Sequence, residues 1–234
     1  ITFCQHLPMP KRNLASKQVP ARKRIAREEA QNARRAVYRD LVLEAAGTAF
    51  ARSGIARTRM EQLADAAGIS LGTLYSVYKG KAEIVDALHE SRLKEIHAAS
   101  MTAAAAARNP LAALLAGHRA YISYFIEHPD YLRMVIDEGA NWGVRDSMDR
   151  ESRRAATWSD GVAALAALFE QGIAAGVFVR GRPDRMARMM LAMQQVRLAD
   201  WLLEEDAQAD PAVLMKEMEV LIRRAFCTPA WRDR

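Results

Sequence analysis

The sequence predicts an all-α protein, and three observations predict it. Apolar residues recur at three- and four-residue spacing, nothing alternates like a strand over a useful length, and the breaks between segments fall at Gly or Pro. The 234 residues can bury a core in one large domain or two small ones. Their formal net charge of +6 is unevenly placed. Residues 1–98 carry 17 Lys and Arg against 10 Asp and Glu, whereas residues 99–234 carry 17 against 18. The N-terminal part is therefore the one expected to meet a polyanion, with nucleic acid first and an anionic membrane surface second.

Residues 1–33 hold Pro8, Pro10 and Pro20, seven basic residues from Lys11 to Arg27, and few large apolar side chains. This composition predicts a basic arm that stays disordered until it finds a partner, either following DNA or remaining a solvated tail. A first helix is expected from about residue 34 to 52, with Leu43, Ala46 and Phe50 on its apolar face, ending before Gly54. Arg34 and Arg35 at its start could reach phosphate or simply face water.

The stretch from Thr58 to Lys81 reads as two short helices set at an angle. Thr58 with Glu61 matches a capping box, so the first of them is expected to start near Arg59. Leu63 and Ala67 form its apolar face, Ala64 allows close approach, and Gly68 ends it in a left-handed conformation. Ser70 caps the second, in which Leu74 and Val77 point back at the first. Leu63, Ala64, Ala67, Gly68, Ile69, Leu74 and Val77 fall jointly in the register of a helix-turn-helix, spanning about residues 59–78; the plain alternative is a helical hairpin. What remains exposed is a small, basic, acid-free face made of Leu71, Gly72, Thr73, Tyr75, Ser76, Lys79 and Lys81, suited to phosphates and base edges.

With its flanks, this stretch resembles the tetracycline-repressor (TetR) family. The matching residues are Leu43, Ala46, Phe50 and Gly54, then Leu63-Ala64, Ala67-Gly68-Ile69-Ser70, Gly72-Thr73-Leu74-Tyr75, Lys81 and Ile84. The resemblance covers residues 34–96 closely and implies a DNA-binding domain there, with a ligand-binding and dimerisation domain over 97–234. It further implies that Thr58, Tyr75 and Lys81 hold phosphates, with Leu71, Gly72, Thr73 and Ser76 nearest the bases and Thr73 the first candidate for a polar base contact. Arg59 either contacts phosphate or solvates the helix start. Val77 and Tyr78 depart from the commoner family pattern and are not assigned to DNA.

After the motif, helices are expected over about 82–107, from Pro110 to before Pro129, and from Asp130 through Val135. Residues 139–143, with Trp142, read as a loop. A helix centred on Val162, Leu165, Phe169 and Ile173 should close at Gly176. The helix from Pro183 to about Glu205 has apolar residues on more than one side, which predicts contact with two surfaces. The last, Pro211 to Phe226, has a single stripe of Leu214, Met218, Leu221, Ile222 and Ala225. In the family such a terminal pair forms a four-helix bundle with a second copy.

No catalytic residues are assigned, because no metalloprotease, nucleophile-elbow, P-loop or dinucleotide fingerprint is present. No metal site and no cofactor are expected either. Cys4 and Cys227 lie far apart and suggest neither a disulfide framework nor zinc. The opening residues lack a charged start followed by an apolar run, so no secretory signal is expected, and the apolar run over 103–116 is broken by Arg108, Asn109 and Pro110. A cytoplasmic protein without membrane contact is the expectation. Candidate ligand-binding residues are His118, Tyr121, Tyr124, Phe125, Tyr131, Met134, Trp142, Trp158, Phe169 and Met193, each equally able to be ordinary core.

The function these features predict is a homodimeric transcription regulator. It would read a near-palindromic operator of double-stranded DNA and leave it when an apolar small-molecule effector binds among the C-terminal helices. Two rivals stand beside it: a DNA-binding module whose C-terminal half recruits a protein, and an all-helical enzyme.

Overall fold

The computed structural model describes residues 15–138, 153–203 and 210–233. Among them run α1 (Ala15–Ser53), α2 (Met60–Ala66), α3 (Leu71–Val77), α4 (Lys81–Ala105), α5 (Pro110–Glu127), α6 (Pro129–Asp137), α7 (Arg153–Ala174), α8 (Pro183–Leu203), α9 (Pro211–Phe226) and α10 (Pro229–Arg232). The all-α expectation holds. None of these helices is long and apolar enough to cross a membrane. Trp142, its expected loop and the expected helix end near Glu205 lie outside the described residues.

The N-terminal expectation needs correction. Where a disordered arm is expected up to residue 33, α1 continues back to Ala15, with residues 22–37 exposed along it. Propensity explains the difference: residues 21–36 are dominated by Ala, Arg, Lys, Glu and Gln, which lose little side-chain freedom in a helix. Arg24 and Glu28, one turn apart, add an ion pair at 3.7 Å on the solvated surface. The basic character of the segment is thereby arrayed along a rod.

Two apolar clusters organise the remainder. The larger begins in the motif, where Val42 and Phe50 of α1 meet Leu63 of α2, Leu74 and Val77 of α3, and Ile84 and Leu88 of α4. It continues into Ile122 and Phe125 of α5, Tyr131 and Met134 of α6, Leu198 of α8 and Met218 of α9. The motif and the C-terminal helices thus share one continuous apolar core. α4 is the common member, packed on α1 at its start and on α5 and α7 further along, while α6 also packs on α1.

The second cluster joins Leu111, Leu114 and Leu115 of α5, Phe169 of α7, Met186 and Met190 of α8, and Ile222 and Phe226 of α9 around Phe178. Gly176, at φ 69°, lets α7 stop and the chain reverse. The connection then pairs with the residues after α9: Val179 donates to the Phe226 carbonyl at 2.8 Å, and Thr228 to the Val177 carbonyl at 2.9 Å. Phe178 is pressed onto α7 where Gly172 leaves room, and a Cβ added at Gly172 would lie 2.1 Å from the ring. Gly172→Ala is therefore expected to lower stability by about 1–3 kcal/mol, read as a fall in the urea midpoint at unchanged m-value.

α9 differs in detail from its expected stripe. Leu214, Met218, Ile222 and Phe226 form the buried row, whereas Leu221 and Ala225 fall on the exposed side.

Candidate functional site

The helix pair is fixed by local chemistry. α2 ends as expected, with Gly68 at φ 66°. Its start differs. Arg59 is the residue preceding the first turn, and its backbone N–H donates to Gln62 Oε1 at 2.8 Å, in place of the expected Thr58–Glu61 box. Thr58 is only 2% exposed, and its hydroxyl donates to the Gly54 carbonyl at 2.9 Å. Its role is to close the turn after α1, and its side chain presents no donor to a phosphate, so Thr58 leaves the candidate contact set.

α3 begins as the sequence predicts. Ser70 Oγ accepts from the Thr73 N–H at 3.0 Å and lies 2.8 Å from the Thr73 hydroxyl. Leu74 and Val77 are buried against α1 and α2, while Gly72, Tyr75, Ser76 and Lys79 are exposed and Leu71 and Thr73 are half-buried. Ser76 donates to the Thr73 carbonyl at 2.6 Å. A Cβ at Gly72 would meet only Ser70 Oγ, at 3.9 Å, so the fold itself does not demand glycine there. Its smallness acts outward, toward whatever approaches α3.

Lys81 is placed differently from its expected role. Its Nζ donates to the Ala56 carbonyl at 3.0 Å and the Thr58 carbonyl at 2.9 Å, tying the start of α4 to the turn before α2. One of its three N–H directions remains. Arg59 and Lys79 carry exposed side chains beside α3.

Sequence reasoning missed Arg39. Its guanidinium donates to the Val77 carbonyl at 3.2 Å and lies 4.4 Å above the Tyr78 ring. A cation on the last carbonyls of α3 stabilises that end of the helix, and the ring contact adds to it. Arg39 sits one turn before Val42 and Leu43, on the same face; that placement was the available signal.

Outside the helix pair, a cavity of about 590 Å³ opens between α4, α5, α7 and α8. Of the ten residues expected to bind a ligand, His118, Tyr121 and Trp158 line it. Tyr124 instead donates to Glu95 Oε2 at 2.6 Å, joining α5 to α4. Phe125, Tyr131 and Met134 belong to the larger core, Phe169 to the second, and Met193 packs between the two. These five pack in the apolar clusters and do not line the cavity. Lining residues that were not expected include Ser100 of α4, Gly161 of α7 and Gln194 of α8.

His118 is 1% exposed, and its Nδ1 lies 2.8 Å from Gln194 Nε2. Burial pushes its pKa down to about 4; Glu219 opposes that change and Arg119 assists it. Between pH 6.5 and 4 the unfolded chain therefore binds a proton here that the folded chain refuses. Stability falls as pH drops through that window, by about 3 kcal/mol from this group alone. His118→Leu is expected to flatten that part of the stability curve relative to the unsubstituted chain, as measured by urea unfolding at pH 7, 5.5 and 4.5.

Three comparisons with known proteins bear on this geometry. Residues 42–88 match the family model described as bacterial regulatory proteins, tetR family. Over 74 residues the chain is 40% identical to the HTH-type transcriptional regulator TtgR of Pseudomonas putida, covering 32% of each chain, so it spans less than two thirds of that relative's length. It is 26% identical over 171 residues to the uncharacterized HTH-type transcriptional regulator YhgD of Bacillus subtilis, covering 69% of this chain and 82% of that one. Among solved structures it is similar to the transcriptional regulator FadR from Bacillus subtilis in complex with stearoyl-CoA. That likeness has a TM-score of 0.66 at 17% identity, covers 78% of this chain and 96% of the other, and shows a shared fold.

Proposed function

The chain belongs to the tetR family of bacterial regulatory proteins, and from that premise we propose that it is a homodimeric repressor released from its operator by a small molecule. The observation that carries this reading is the exposed α3 face. Gly72, Tyr75, Ser76 and Lys79 project from a helix whose other side is locked by Leu74, Val77 and Arg39. A rigid helix with a small, acid-free outer face fits a major groove. In this reading Thr73 and Ser76 meet base edges with Leu71 and Gly72 against them, Tyr75 and Lys79 hold phosphates, and Arg59 reaches the neighbouring backbone. Lys81 chiefly positions the turn.

One such helix reads too few base pairs, so a second copy is needed. The outward side of α8 supports one. Met189, Ala192, Val196, Ala199 and Leu203 follow one another at alternating three- and four-residue steps, and Met189, Val196 and Leu203 are 56, 59 and 68% exposed. That spacing fits the seam of a coiled coil, and Val213 and Val220 are exposed on α9, which packs on α8. It fits the expectation that α8 contacts two surfaces.

The cavity supports a ligand-responsive role over recruitment of a protein. Its volume lies inside the range of about 300–1,000 Å³ typical of small-molecule sites. α4 carries Ile84 and Leu88 in the motif core and Leu93, Ile96 and Ser100 on the cavity wall. A ligand that prefers one position of α4 would therefore change the spacing of the two recognition helices, to the extent of its differential affinity. The test is selection of bound duplex from a random pool. The reading expects a near-palindrome with half-sites centred about 34–36 Å apart; recovery of no enriched sequence would overturn it.

A further inference from the structure

Four side chains on the lining of the cavity each carry a buried polar atom with no hydrogen-bond partner among the described residues: Ser100 Oγ, His118 Nε2, Tyr121 OH and Gln194 Oε1. They come from three helices, α4, α5 and α8. His118 and Gln194 are 1% exposed and Tyr121 is 7% exposed. Buried polar atoms are normally paired, and an unpaired one is destabilising. Four such side chains around one cavity set what an occupant that reaches them must offer.

With the Gln194 amide nitrogen on His118 Nδ1, the imidazole proton sits on Nε2, leaving one N–H donor on His118 and one oxygen acceptor on Gln194. Turning the amide over reverses both roles and keeps the count, one donor and one acceptor. The hydroxyls of Ser100 and Tyr121 can serve either way. The set therefore asks for a group that both donates and accepts.

The rest of the lining excludes most alternatives. Leu93, Ile96, Leu114, Val162, Leu165 and Met190 make the wall largely apolar. Among the described residues no Asp or Glu lines it, so nothing there balances a cation. Among the same residues Arg108 is the one Lys or Arg on the lining, and it is exposed rather than set among the four polar atoms. Burial keeps His118 neutral at physiological pH, so none of the four polar side chains offers a cation to a carboxylate or phosphate. A bare hydrocarbon fits the wall but leaves all four atoms unpaired.

We propose that the cavity takes a neutral, largely hydrocarbon molecule bearing a hydroxyl group, which docks among Ser100, His118, Tyr121 and Gln194. This rests on the reading of the C-terminal helices as a ligand-sensing unit and adds the chemical class of the ligand.

The experiment titrates the full chain at pH 7.5 with 4-butylphenol, butylbenzene and 4-butylbenzoate, three probes of one skeleton, followed by calorimetry and by tryptophan fluorescence, since Trp158 lines the cavity. The phenol is expected to bind at least about tenfold more tightly than either of the others, because a site built to hydrogen-bond a hydroxyl rejects the analogue lacking it. Gln194→Leu should cut the preference over butylbenzene to less than about threefold. Ser100→Ala and Tyr121→Phe each delete one hydroxyl with little change of shape, and they carry the same test if Gln194→Leu fails to fold. Butylbenzene or the benzoate binding as tightly as the phenol overturns the proposal while leaving the cavity a ligand site. A preference that survives all three substitutions overturns the docking assignment. Binding of none of the three probes overturns both this proposal and the ligand-release reading.

Discussion

Val196→Glu combined with Met189→Glu should leave the protein a folded monomer that has lost its operator. Both side chains lie on the exposed seam of α8 and contribute nothing to either apolar cluster, so the isolated chain keeps its core. In a two-fold dimer the substitutions would bring four carboxylates into one apolar seam, where each would be desolvated without a cation. A loss of at least about 3 kcal/mol of association, more than 100-fold in affinity, is expected. Sedimentation would report the monomer, and in the proposed reading operator binding would fall with it, since one copy alone would offer a single recognition helix. A variant that stays dimeric would place the interface elsewhere.

The second large effect concerns the motif's interior. Leu74 is fully buried between α1, α2 and α3. Replacing it with Ala removes side-chain volume from the part of the larger core where α1, α2, α3 and α4 meet, a change that costs about 2–5 kcal/mol. Because Leu74 does not line the cavity, the loss should be local at first. Hydrogen exchange of α2 and α3 should accelerate by more than about 30-fold at a temperature where α5 and α7 remain protected, and DNA binding should fall while any ligand binding persists. Equal loss of protection throughout would show that the motif and the C-terminal helices unfold as one unit, as their shared core permits.

The motif and the cavity differ in how far sequence reveals them. The helix pair is legible because its determinants are local: Gly68 must take a positive φ, Ser70 must cap, and Leu74 and Val77 must share a face, all within ten residues. The cavity is not legible in that way. Ser100 lies in an Ala-rich run and Gln194 among methionines, and nothing local in either context signals that they converge with His118, 76 residues away from Gln194 in sequence. Aromatic side chains point the expectation toward Tyr124, Phe125 and Phe169, which pack in core or tie helices together.

Thr58 and Lys81 match the family pattern by type and position, yet side chains at such positions can turn inward. Thr58 closes the α1 turn and Lys81 holds two carbonyls across it, both tertiary roles that spacing alone does not distinguish from contact with a partner. The α1 extension escapes the sequence reading for a different reason. Net charge and proline argue for disorder, propensity summed over residues 21–36 argues for helix, and propensity prevails.

The measurement closest to the central claim is the affinity of the selected duplex for the unsubstituted chain and for Thr73→Ala/Tyr75→Ala. Neither side chain is fully buried, so the double variant should keep its melting temperature and its dimer. If the outer face of α3 meets DNA, removing one base contact and one phosphate contact per copy should weaken binding by at least about 100-fold at fixed salt. Unchanged affinity in a folded dimer would contradict that placement.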